Sequence, residues 1–86
     1  TNFAKLADAD AVPYLDDRRR ELYRKFLSMP YPRAFSIAST GNVGWAYEGA
    51  DPLGVSLTNC ENLAKVPCSL YAVDDDVVWP IATVTK

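Results

Sequence analysis

Cys60 and Cys68 are the only cysteines in this chain, and they stand in a sequence that contains no histidine. Their Cys-x7-Cys spacing suits a short disulfide that ties the end of a helix to the start of a strand. The alternative is a pair of reduced thiols buried as small apolar groups, which intracellular proteins often use. The lack of histidine removes the commonest general base and the commonest metal ligand. Together these features point to a small stapled module from an oxidising compartment, periplasmic or secreted, rather than to an enzyme.

At 86 residues the chain is one domain, near the lower limit at which a hydrophobic core holds together unaided. A stability on the order of 4–13 kcal/mol is ordinary for that length. Closing the loop between the cysteines contributes roughly 2.6 kcal/mol through loop entropy, a large share of such a total. A net charge of -2 and a pI near 4.8 argue against nucleic acid or an anionic membrane as partner. No apolar run approaches the ~20 residues that span a bilayer, so no membrane insertion is expected. The chain opens at Thr1 without an initiator Met or a signal peptide. This reads as a processed product or, preferably, as a piece of something longer. On that reading residues 1–14 are a linker or frayed leading segment and residues 15–86 form a single domain.

Pattern along the chain supplies the elements. Asp16 reads as an N-cap, with Leu15, Leu22, Tyr23, Phe26 and Leu27 on one apolar stripe of the helix that follows. The run Met29-Pro30-Tyr31-Pro32 stops that helix. Phe35 and Ile37 alternate with Ala34, Ser36 and Ala38, a strand with one bulky and one small face. Thr40-Gly41-Asn42 is turn chemistry, and Val43, Trp45 and Tyr47 alternate on the return strand of a hairpin. Gly44 and Ala46 leave the other face of that strand flat, open to close packing. Asp51-Pro52 starts a second helix with Leu53, Leu57, Cys60 and Ala64 at helical spacing, Leu63 adjoining, and Pro67 ending it. A second hairpin runs from Cys68 through the Asp74-Asp75-Asp76 turn to Trp79, and the segment Ile81–Thr85 is a final edge strand or a tail. The expected fold is α+β, a small antiparallel sheet of two hairpins with two helices packed on one face.

The stretches "PRAFSIASTGNVGWAYEGADPL" and "CENLAKVPCSLYAVDDDVVW" resemble small domains of secreted or periplasmic bacterial proteins, of unknown function. Those domains share a Gly-Trp-Ala hairpin and a helix-to-strand cysteine pair, and similar segments look like tail modules of larger secreted hydrolases. The likeness covers about residues 31–79. It implies a disulfide between Cys60 and Cys68, an extracytoplasmic setting and no catalytic role. The Arg-rich leading helix departs from the simplest members.

Four aromatic residues on the expected strands, Trp45, Tyr47, Tyr71 and Trp79, are candidates for a stacking platform that binds a glycan or polymer. In a domain this small such residues more often fill the core. Six of the nine basic residues lie between positions 18 and 33, where a solvated helix face is the plain reading and an anionic docking face the functional one. Arg19 stands apart because it falls inside the apolar stripe. It is expected to run along the core edge, to pair with Asp51 or Glu48, or to contact a partner domain. Asp74, Asp75 and Asp76 are consecutive and read as a solvated turn, not as a calcium loop. No catalytic residue, metal site or cofactor is expected, since no nucleophile has a base beside it and two cysteines fall short of a zinc site. The expectation is therefore a non-catalytic accessory or interaction domain of a larger exported bacterial protein, in contact with the parent catalytic domain or another protein. The alternatives are a glycan- or polymer-binding module and a small secreted enzyme inhibitor.

Overall fold

The computed structural model describes residues 2–80. A short 3-10 turn, Ala9–Ala11, leads into helix α1, Asp17–Phe26, followed by strands β1, Arg33–Ile37, and β2, Val43–Tyr47. Helix α2, Pro52–Ala64, then precedes strands β3, Ser69–Val73, and β4, Asp76–Val77. The fold is α+β, with one antiparallel sheet in the order β2-β1-β3-β4. Both helix starts follow from their caps. The carboxylate of Asp16 accepts the Arg19 N–H at 2.9 Å, and that of Asp51 accepts the Gly54 N–H at 3.1 Å. The segment read as a final strand or tail lies outside the described residues.

The two hairpins join through β1 and β3, and a bulge marks that junction. Phe35 pairs with Ala72 and Ser36 with Leu70, which leaves Tyr71 as the extra residue. The bulge turns Tyr71 onto the same side as Phe35, where its ring meets Tyr23 edge-on at 5.6 Å. Tyr23 and Phe26 of α1 complete this aromatic core against Phe35, at 5.0 and 5.3 Å between ring centroids.

Three expectations need correction. The helices lie on opposite faces of the sheet, not on one. Phe35 meets α1 while its neighbour Ser36 meets Ser56 of α2, and adjacent strand residues point to opposite sides. The leading segment is part of the domain, because Ala9 and Val12 are buried in the aromatic core and Tyr23 donates its hydroxyl to the Leu6 carbonyl at 2.5 Å. Helix α2 is rotated from its expected stripe. It buries Pro52, Ser56, Cys60 and Ala64 and leaves Leu53 at the surface. The cause is the flat face of β2: a Cβ at Gly44 would lie 2.5 Å from the Cys60 backbone nitrogen. At that approach only the small side chains of α2 fit beneath the helix.

Cys60 and Cys68 form a disulfide, their Cα atoms 6.2 Å apart, at the exit from α2. Reducing it is expected to lower stability by roughly 2.6 kcal/mol, a fall of about 10–20 °C in melting temperature for a domain of this size. Thermal melts with and without a reductant measure this, and an unchanged midpoint would mean that packing alone holds α2.

Tyr23 and Tyr71 are fully buried, and burial pushes both phenols above their ordinary value of 10.0. The folded chain thus holds these protons more tightly than the unfolded chain does. The associated stability is intact below pH 10 and is lost as the pH climbs from about 10 toward the folded-state values. Alkaline titration should therefore show phenolate absorbance from the buried rings rising together with loss of the near-UV circular dichroism. Full ionisation with that spectrum intact would refute the account. The Tyr71 hydroxyl has no hydrogen-bond partner among the described residues, so Tyr71→Phe should cost little or nothing at neutral pH.

Candidate binding groove at the sheet edge

Strand β2 is an edge strand, and the two helices bracket it from opposite faces. On the α1 side, Arg18, Arg19 and Leu22 join Val43 and Trp45 around a pocket of about 220 Å³. On the α2 side, Gly44, Asn59 and Leu63 join the same two strand residues around a second pocket, of about 350 Å³. Leu63 lines both, so the pockets form one groove that runs along the strand edge. Helix rotation creates it. With Ser56, Cys60 and Ala64 turned onto the sheet, Leu63 projects outward and is 65 % exposed.

Backbone polarity at this edge follows from the hairpin register. At one end of the hairpin the Ala38 N–H donates to the Asn42 carbonyl at 3.0 Å, and at the other the Glu48 N–H donates to the Pro32 carbonyl at 2.6 Å. Hydrogen-bonded and non-bonded pairs alternate between those limits, so Gly44 and Ala46 bond to β1 while Val43, Trp45 and Tyr47 turn their N–H and C=O groups outward. The Asn59 side chain, donating to the Trp45 carbonyl at 3.4 Å, lies where an outward carbonyl should find a partner.

The charge in the groove comes from α1. Arg19 bonds Asp16 at 2.9 Å, and this contact, first through the Arg19 backbone N–H, holds the Asp16 carboxyl below its usual value. Arg20 and Arg24 are engaged with Asp17, Glu21 and Asp10. Arg18 is exposed and forms no direct ion pair among the described residues; it feels the Asp16 carboxylate only at longer range and brings its guanidinium to the groove mouth.

No family model, curated protein or solved structure matches this chain.

The candidates read from the sequence are dispersed by the fold. Tyr71 is in the core. Trp79 lies beyond the end of β4, not on it, and packs edge-on against Tyr14 at 6.1 Å. Tyr47 is 45 % exposed at the far end of β2. Trp45 is half-buried, stacked parallel to Phe35 at 6.2 Å. Arg19 reaches neither Asp51 nor Glu48 but pairs with Asp16, its own helix cap. Only Trp45 and Arg19 come together, in the groove. Leu63, Arg18 and Asn59 were missed as site residues. The signal that would have found Leu63 was the small-residue series Ser56, Cys60 and Ala64 facing Gly44.

Among the described residues, no three His, Cys, Asp or Glu side chains gather where they could hold a metal. No described helix is long and apolar enough to cross a membrane.

Proposed function

We propose that this chain is a non-catalytic interaction domain of an exported protein, and that it makes its contact through the groove along β2. The observation that carries the reading is an open sheet edge with apolar walls from both helices and a cationic rim. Surfaces of that kind are suited to a protein segment, from a parent catalytic domain or from another chain. The disulfide supports a periplasmic or secreted setting, and the likeness to tail modules of bacterial hydrolases supports a place beside an enzyme.

The aromatic residues favour this reading over a glycan platform. A sugar-stacking surface needs ring faces side by side at the surface, whereas Tyr71 is fully buried and Trp45 has one face on Phe35. An inhibitor would present a rigid protruding loop, 40–43 or 74–76, to its target enzyme, and Asn42 of the first lines the groove. Here Asp74 and Asp75 turn back onto Arg33 and Tyr31 instead.

The test is to pan a random peptide display library on the intact chain, with a Leu63→Glu, Arg18→Glu double variant as counter-target and an oligosaccharide array alongside. Both substitutions are at exposed positions, and near-UV circular dichroism verifies the fold. Peptides should enrich on the parent chain and lose their binding on the variant, with no sugar retained. Sugar binding that ignores the double substitution, or no peptide enrichment at all, would overturn the reading.

A further inference from the structure

Resting on the groove as a contact surface, we infer that its occupant is an extended, acidic-apolar polypeptide segment that adds to β2 as a fifth strand. Exposed sheet edges invite pairing, and folded proteins usually blunt them with charge, proline, bulges or brevity. The far edge of this sheet is blunted, since β4 has only two residues. The β2 edge is not: Val43-Gly44-Trp45-Ala46-Tyr47 holds no charge and no proline, and its pairing to β1 is regular throughout. Val43, Trp45 and Tyr47 present outward backbone groups, and the one seen to be engaged, the Trp45 carbonyl, is held only by an exposed Asn59 at 3.4 Å.

Side chains of an added strand would alternate between the two faces of the sheet. On the α1 face they meet Arg18, which lacks an ion-pair partner among the described residues, and Leu22. On the α2 face they meet Leu63 and the bare Cα of Gly44. The first face selects a carboxylate and the second an apolar side chain, so the matching segment alternates Glu or Asp with Val, Ile or Leu. Main-chain bonds to β2 then supply affinity and the two pockets supply register.

The probe is a capped synthetic peptide of alternating Glu and Val, titrated into the intact chain and compared with three others: a Lys-Val version, a block version with the same composition, and a version N-methylated on the residues that face β2. The alternating peptide should bind and should slow amide exchange at Val43, Trp45 and Tyr47. Arg18→Glu should weaken it about fivefold, and N-methylation should abolish binding. Binding that survives N-methylation, or that leaves those three amides exchanging freely, would overturn strand addition while the groove stood as a contact surface. Equal binding of the Lys-Val peptide would overturn the acidic preference. Self-association of the chain without peptide, with the same amides protected, would assign the edge to a second copy instead. Failure of these peptides together with every display-selected one would bring down the contact reading itself.

Discussion

Arg33→Ala is expected to remove about 3–5 kcal/mol through backbone carbonyls left without donors, enough to leave a domain of this size at the margin of folding. Arg33 is only 4 % exposed and sits at the first position of β1, beneath the end of α1. Its Nη1 is shared among the carbonyls of Phe26, Leu27 and Met29, at 3.3, 2.7 and 3.1 Å. The last carbonyls of a helix have no partner within it, and a cation there also meets the negative end of the helix dipole. Nε donates to the Asp74 carbonyl at 3.2 Å and Nη2 to the Asp75 carboxylate at 3.2 Å, which ties the β3–β4 turn to α1. The guanidinium also lies over the rings of Phe26 and Tyr31, at 5.1 and 4.8 Å. Asp75 is largely exposed, so the ion pair itself adds little; the Phe26 carbonyl keeps the Met29 N–H at 3.0 Å, and the loss comes from the stranded carbonyls of Leu27 and Met29 at about 1–3 kcal/mol each. Lysine places a single ammonium on a flexible stem and cannot serve a helix end, a turn and two rings together, so Arg33→Lys should recover only part of the loss. Urea unfolding of the three proteins measures the difference. A loss below about 1 kcal/mol for Arg33→Ala would mean that water reaches those carbonyls and the arginine is dispensable.

Gly44→Ala should cost about 3 kcal/mol, at the upper end of overpacking. The new Cβ would overlap the Ser56 carbonyl oxygen and lie 2.5 Å from the Cys60 nitrogen and 2.8 Å from the Cys60 Cβ. Two of these neighbours are helix backbone, so no rotamer change relieves the clash. Helix α2 must move, yet the disulfide holds its last turns to the start of β3. Gly49→Ala is the control: it has φ of 78° and nothing within 4 Å of its added Cβ, so only left-handed strain of about 1–2 kcal/mol is expected. Equal losses at the two positions would show that α2 is not in close contact with β2. The displacement should also reach the groove, because Asn59 and Leu63 ride on the same helix, so peptide binding should fall alongside stability.

Much of the local structure was legible. Asp16 and Asp51-Pro52 announced both helices, Thr40-Gly41-Asn42 announced the hairpin turn, and alternation marked Phe35, Ile37, Val43 and Trp45 as one strand face. The flat side of β2 was also visible in Gly44 and Ala46, though not which element would cover it. The burial of Arg33 was not legible, because its partners include carbonyls, and a carbonyl has no residue identity to read. The site was less visible still. Arg18 belonged to a solvated helix face, and Leu63 sat beside the wrong stripe.

The amino-acid order by itself determined where both helices start, where the turns fall and how β1 and β2 alternate, since caps, turns and periodicity act between residues a few positions apart, though not that β4 stops at Val77. The tertiary structure alone decided that β1 lies beside β3, that the helices divide between the two faces, and that residues 9–12 enter the core. It also decided the rotation of α2. Leucine is the more apolar residue, yet Ser56, Cys60 and Ala64 face the sheet because the backbone beneath them approaches too closely for anything larger. That steric limit belongs to a pair of surfaces brought together from distant parts of the chain, and it turns Leu63 outward to make the groove.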